Sequence, residues 1–418
     1  MSTSPDGVVS KRRGRRLIGL LAALTSFSLV VAGASAVTGC GPAGKKTHKK
    51  KVIKPQGPTA EQLVQQARDL DASGDAAGAE AKYQAAYQAK NDFAILEEYV
   101  EFLINHARPA DAVTQAKAYY DAAATDPRGS HLYAHALIAA GDFPDALAVV
   151  DELIALNEND AAAHEKRGLA LALSGQLEPG IEELRKAVAL DGQNAGFLVE
   201  LGSALSNAGK VDEAALQLRA AITLDPENGR AHLLLGLALR DQAELEEAIV
   251  YLTKATKLMP NDGRPWFELG IVQNRRGDDL GAEASLAEAV ARAPSNSLYW
   301  YAYGEMLRLN KKYDDAINAY AKAMDLDPPH PKAAAKRGLA LAEADRLGEA
   351  EVFLTEAVRA DPKNPFIHFN LAVVYKNQKK TKLAIEEFER FLELADPSDG
   401  DRGTAETCVK NLKKRKSC

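Results

Sequence analysis

AGFLVELGSALSNAGKVDEAALQLRAAITLDPEN, residues 195–228, packs two helical patterns and two stops into 34 residues. Leu198, Leu201 and Leu205 recur at the spacing of one helix face, and Leu218, Ala221 and Leu224 do so again further on. Gly209 breaks the first pattern from the second, and Asp225-Pro226 closes the stretch. The stretch reads as helix, turn, helix, turn.

Working outward, the same arrangement starts again at 229, 263, 297, 331 and 365, and upstream at 161, 127 and 93. A further unit at 60 is one residue short. The ten units are therefore 60–92, 93–126, 127–160, 161–194, 195–228, 229–262, 263–296, 297–330, 331–364 and 365–397. One position stays small throughout, filled by Ala79, Ala112, Ala146, Gly180, Ala214, Ala248, Ala282, Ala316, Ala350 and Ala384. A side chain of that size is expected where the two helices of a unit cross closely. A chain of 418 residues built this way buries its apolar surface between neighbouring units rather than in one central core.

The pattern resembles the tetratricopeptide repeat, with Leu198, Leu201-Gly202, Leu205, Ala214, Leu218, Ala221 and Pro226 at the places where that family holds its consensus residues. Trp266 and Trp300 stand at its aromatic position, as do His164, His232 and His368, which read as packing residues. Val100 departs from the pattern at a small-residue position, and Arg167 and Arg337 replace a leucine. With Val100 and Pro109 in the second unit and the first unit one residue short, the units between 60 and 160 are the less regular end. The resemblance implies an all-α, right-handed superhelical solenoid of about ten helix-turn-helix repeats. Residues 398–418 are expected to add a capping helix, with Ala405, Val409 and Leu412 on one face, and a basic tail. Cys408 and Cys418 could pair in an oxidising compartment.

The formal charge of −6 conceals a segregation: residues 60–397 carry 35 basic and 54 acidic side chains, whereas both flanks are basic. An acidic solenoid argues against nucleic acid, which needs a basic footprint, and favours a soluble, monomeric one. No phosphate-binding loop, nucleophile elbow, HExxH or paired CxxC occurs, so neither catalysis nor a cofactor is expected. His131 and His135 are spaced for one helix face, but no third metal ligand is near them in sequence.

Ahead of the repeats, residues 1–39 are built like an export signal: Lys11, Arg12, Arg13, Arg15 and Arg16 precede an uncharged, largely apolar run from 17 to 36. Val37-Thr38-Gly39-Cys40 resembles a bacterial lipobox, which implies that Cys40 is diacylated, with palmitate-like chains, and becomes the new amino terminus after cleavage. Two other readings stay open: cleavage after Ala34-Ser35-Ala36, releasing a secreted protein, or an uncleaved anchor. Gly41, rather than Asp, follows the cysteine, which by resemblance favours the outer membrane. Residues 40–59 are rich in Lys, Gly and Pro and read as a disordered tether.

Members of the resembled family commonly bind a protein or peptide along a concave groove lined by first helices. Carried over, that geometry gives Val199, Leu233, Phe267 and Tyr301 at the fifth position, Arg230 and Arg264 at the second, and Arg240, Asn274, Arg275 and Arg308 at the twelfth and thirteenth. Aromatic and arginine side chains dominate binding hot spots, so an extended segment bearing carboxylates and apolar groups would suit this strip. Alternatively, the arginines pair with acids such as Glu268 and Asp241 and only solvate the face. Phe366, Phe369, Asn370 and Lys376 form a second candidate patch, or pack under the carboxy-terminal helix. The Lys/Asn clamp of chaperone-binding members is missing, and Glu200, Leu234, Glu268 and Ala302 replace the asparagine ladder of the glycosyltransferase type. The expected function is a membrane-anchored interaction scaffold of the bacterial envelope that serves complex assembly. Its rival is a recruiting subunit for an envelope enzyme such as a peptidoglycan hydrolase or protease.

Overall fold

A computed structural model describes residues 57–328, 330–414 and 416. The expected leader and lipid site Cys40, most of the tether, and Cys418 with its expected pairing lie outside the described residues. Everything described is helix and short turn, in two compact units that meet between Gly209 and Lys210.

The first unit holds α1 (Ala60–Ala72), α2 (Ala76–Lys90), α3 (Phe93–Asn105), α4 (Pro109–Ala122), α5 (Pro127–Ala140), α6 (Phe143–Leu156), α7 (Ala161–Leu173), α8 (Leu177–Leu190) and α9 (Ala195–Asn207). The second holds α10 (Val211–Leu224), α11 (Gly229–Asp241), α12 (Leu245–Leu258), α13 (Gly263–Arg276), α14 (Asp279–Arg292), α15 (Ser297–Leu309), α16 (Tyr313–Leu326), α17 (Pro331–Glu343), α18 (Leu347–Ala360), α19 (Pro365–Asn377), α20 (Thr381–Leu394) and α21 (Arg402–Lys413). Within each unit, successive helices pack in sequence order, giving a solenoid of helix pairs closed by α21. Val100, the irregular residue in the second pair, is fully buried there without breaking α3.

Local chemistry sets each junction. One Asx residue per repeat caps the following first helix: Asp92, Asp126, Asp160, Asn194, Asn228, Asp262, Asn296 and Asn364 each accept a backbone N–H two or three residues on. At the same place His330 uses its Nδ1, 3.2 Å from the Ala333 nitrogen. Such caps satisfy donors that the helix leaves open, worth about 1 kcal/mol each. First helices stop at a left-handed residue, as at Gly141, Gly175 and Gly277, with φ of 79°, 93° and 86°. Ala243, Lys311, Asp345 and Lys379 take that conformation at φ near 60°, where a Cβ is strained by about 1–2 kcal/mol.

The ring at the fourth position of the first helix ties the junction from within. Nε2 of His164, His232 and His368 lies 3.0 Å from the carbonyl oxygen six residues earlier, that of Glu158, Pro226 and Pro362, and Trp300 Nε1 donates likewise to Pro294 at 2.9 Å. Trp266 breaks the series: Arg292 stacks on its ring and donates Nε to the Pro260 carbonyl at 2.6 Å, which leaves the buried Trp266 N–H without an acceptor among the described residues.

Small residues let the paired helices close. A Cβ on Gly180 would sit 2.8 Å from the Ala172 nitrogen and 2.8 Å from the Gly168 oxygen, so backbone meets backbone at this crossing. At the carboxy-terminal end, Ala405 and Cys408 of α21 are buried against Phe388 and Phe391, with Val409 and Leu412 partly covered. Rings that α20 would otherwise expose are covered there.

Candidate partner-binding face

In the second unit, α11, α13, α15, α17 and α19 are the first helices of their pairs, and ionic contacts run between them. Arg240 Nη1 on α11 meets Glu268 Oε2 on α13 at 2.6 Å, while its Nε holds Asp241 at 2.8 Å. On α15, Arg308 reaches Glu343 of α17 at 3.0 Å, and Glu305 accepts from Lys336 of α17 at 3.0 Å and from the Tyr320 hydroxyl. Burial raises the Glu268 pKa despite Arg240 beside it, because loss of water outweighs the attraction. For Arg240 burial works the other way, yet its two carboxylates still leave the pKa raised. Glu305, Lys336 and Glu343 carried no motif that would have marked them in the sequence.

The predicted site residues therefore separate by role. Arg240 and Arg308 hold neighbouring repeats together. Arg230 is half-buried and is engaged in contacts of its own. Asn274 donates to Asp279 at 3.3 Å. Leu233 is 2% exposed and so belongs to the core. Val199, at the same repeat position in the first unit, is buried equally. Phe267 and Tyr301 share that position, but their rings are larger and remain half-exposed. Phe267 stacks on Tyr299 with ring centroids 4.6 Å apart, and Tyr301 stacks on His330 at 5.4 Å. Arg264 is half-buried and Arg275 exposed, and neither side chain has an ion-pair partner within 4.0 Å among the described residues. The face thus offers two aromatic rings and two guanidinium groups outside ion pairs, of which Arg264 also acts through its charge on Glu268.

In the second patch, Phe369 packs edge-on against Phe388 and Phe391, inside the cluster that α21 covers. Asn370 is spent on the Ala335 carbonyl at 3.1 Å, whereas Phe366 is 46% exposed and Lys376 half-buried. His131 and His135 turn to different carboxylates, Asp160 at 3.0 Å and Glu101 at 2.8 Å. Among the described residues no group of three or more His, Cys, Asp or Glu gathers as a metal site, and no helix is long and apolar enough to cross a membrane.

Tetratricopeptide repeat profiles match residues 133–195, 199–263, 267–331 and 310–365, more than half of the chain, and a second such profile matches 353–386. The chain belongs to the tetratricopeptide repeat family. Tetratricopeptide repeat protein 36 of Caenorhabditis elegans is 40% identical over 62 residues, 15% of this chain and 35% of that protein. A probable UDP-N-acetylglucosamine–peptide N-acetylglucosaminyltransferase SPINDLY of Hordeum vulgare is 30% identical over 96 residues, 23% of this chain and 10% of that one. The matched segments thus span about a third and a tenth of those relatives. Among solved structures, YrrB, described as a repeat protein with an unusual peptide-binding site, aligns with a TM-score of 0.38 at 24% identity over 44% of this chain and 95% of its own. Pseudomonas aeruginosa pilF aligns with a TM-score of 0.43 at 20% identity over 48% and 92%.

Proposed function

We propose that this tetratricopeptide repeat protein is a lipid-anchored interaction scaffold of the bacterial cell envelope. It captures an extended protein segment on the face formed by α11, α13 and α15 and holds it beside the membrane for assembly of an envelope, secretion or pilus complex. Acyl chains on Cys40 confine it to a surface, the outer membrane being favoured by Gly41, and the lysine-rich tether gives it reach. The observation that carries the binding part is the pairing of half-exposed Phe267 and Tyr301 with Arg264 and Arg275, neither of them in an ion pair within 4.0 Å among the described residues, in an otherwise acidic solenoid. Rings supply contact area at low entropic cost, and guanidinium groups supply charge-assisted bonds to carboxylates.

The test is crosslinking in native cells, comparing the wild type with Arg264→Glu/Arg275→Glu. Arg240 is left intact because it secures Glu268. Loss of one specific protein from a folded variant supports the face, and unchanged recovery of the same partners refutes it. If the captured partner is an envelope hydrolase or protease, its activity co-purifies and the protein is a recruiting subunit. Cys40→Ser tests the anchor separately: the chain should leave the membrane fraction, and persistence there would argue for an uncleaved apolar segment.

A further inference from the structure

A second feature lies away from the first-helix face. Arg337 of α17 borders an open concavity of about 550 Å³ formed with α16 and α18, whose apolar wall includes Ile317, Leu341, Val352 and Phe353. Its guanidinium lies over the Phe353 ring, 4.7 Å from the centroid, and its Nε is buried with no hydrogen-bond partner among the described residues. No carboxylate stands within 4.0 Å of it among those residues. Burial lowers its pKa, with the charge of Asp325 opposing that shift and the charge of Arg346 adding to it. Arg346 and Glu349, on the same rim, are already committed: the arginine holds Glu349 at 2.6 Å and Asp314 at 2.7 Å. Glu356, also on the rim, is exposed.

Another repeat shows what is missing. Arg167 occupies the same repeat position in α7, where Asp151 stands 3.2 Å from its Nε and Glu183 3.8 Å from its Nη1. The corresponding places around Arg337 are filled by Ala321 and Phe353. Both internal acids have been replaced, one by a methyl group and one by a ring that lines the concavity. A desolvated guanidinium without an anion is costly, and a planar bidentate partner is what it binds best.

We propose that the concavity beside Arg337 is a binding site for a carboxylate carried on an apolar body, the anion gripping the guanidinium and the body resting on Ile317, Leu341, Val352 and Phe353. The volume falls within the range of small-ligand sites, roughly 300–1,000 Å³. That chemistry is offered by the terminal residue of a peptide and by a free alkanoic acid.

The full-length chain is titrated by calorimetry with N-acetyl-Phe-Leu as the free acid, with the same dipeptide as its amide, and with octanoate. The expected result is saturable binding of at least one acid and at least tenfold weaker binding of the amide. The dipeptide acid alone would identify a peptide terminus, and octanoate alone a free acid. Two variants locate the site. Arg337→Leu restores the residue found in this position at Leu201, Leu235, Leu269 and Leu371, and Ala321→Asp supplies an internal acid where Asp151 serves Arg167. Each should weaken acid binding at least tenfold while the helical circular dichroism is unchanged. Failure of both acids to bind, equal binding of acid and amide, or undiminished binding by either folded variant would overturn the proposal.

Discussion

Replacing Arg240 by Met removes a charge but keeps most of the apolar stem, which isolates what the guanidinium does for Glu268. The two side chains are only 21% and 14% exposed and their atoms meet at 2.6 Å. Removing one partner of a buried pair costs about 3–5 kcal/mol, because the other charge is left desolvated. Both groups keep some access to water, so about 2 kcal/mol is expected. The pH dependence gives the signature. Burial already holds the Glu268 pKa above its ordinary value, and a carboxyl raised in the folded state favours folding below that pKa and opposes it above. Without Arg240 the pKa rises further, so the deficit should be full near about pH 7 and shrink by half or more near about pH 5. Urea denaturation followed by circular dichroism at both pH values measures it. Arg240→Met/Glu268→Gln should recover at least half of the loss, while exposed Arg275→Glu should stay within about 0.5 kcal/mol of wild type. A deficit that is equal at both pH values, or that grows in acid, would refute the reasoning.

Gly180→Ala installs the residue present at nearly every equivalent position and a better helix former by about 1 kcal/mol. It should nevertheless destabilise by about 1–2 kcal/mol, because its Cβ would meet backbone atoms at 2.8 Å, well inside normal contact distance of about 3.5 Å or more; a denaturation midpoint at or above wild type would contradict this. Ala243→Gly should raise stability by about 0.5–1 kcal/mol by relieving a Cβ at φ 63°, read from the same melts. His368 donates to Glu387 at 2.6 Å and to the Pro362 carbonyl, and the first of these bonds mainly holds its pKa above the ordinary value despite burial and nearby Arg390. A raised histidine contributes fully below about pH 6.5 and loses that contribution as pH rises through its folded pKa. The stability gap between wild type and His368→Gln should therefore be about 1 kcal/mol larger near about pH 5.5 than near about pH 8.5.

The scaffold was legible because its determinants are local. Spacing such as Leu198, Leu201 and Leu205 specifies a helix face, Gly209 a stop, and the Ala/Gly series a close crossing, and each acts within one unit. The chemistry of the face was less legible because it depends on partners about thirty residues apart. The reading in which the arginines pair with Glu268 and Asp241 holds for Arg240, but nothing in the sequence says that Arg275 pairs with neither. Equal repeat position does not mean equal exposure either: Leu233 fits inside the seam, whereas Phe267 and Tyr301 are too large to disappear into it. Left-handed ends at Ala243 and Lys311 were also silent, since neither residue type signals a turn. Tertiary packing imposes that conformation on them.

The cap and, at the junctions of His164, His232, Trp300 and His368, the ring-to-carbonyl tie lie within a few residues of one seam. Excision of residues 263–296 would bring Asp262 directly before Ser297, with an Asx residue again heading a first helix. Trp300 would then reach back six residues to Pro260 in place of Pro294, one proline carbonyl exchanged for another. Loss of this whole unit therefore keeps the cap and the ring tie at the new seam but not the Arg240–Glu268 pair, since Ala302 takes the place of Glu268, so the span of this scaffold can change by whole units only where such pairs between units are matched as well.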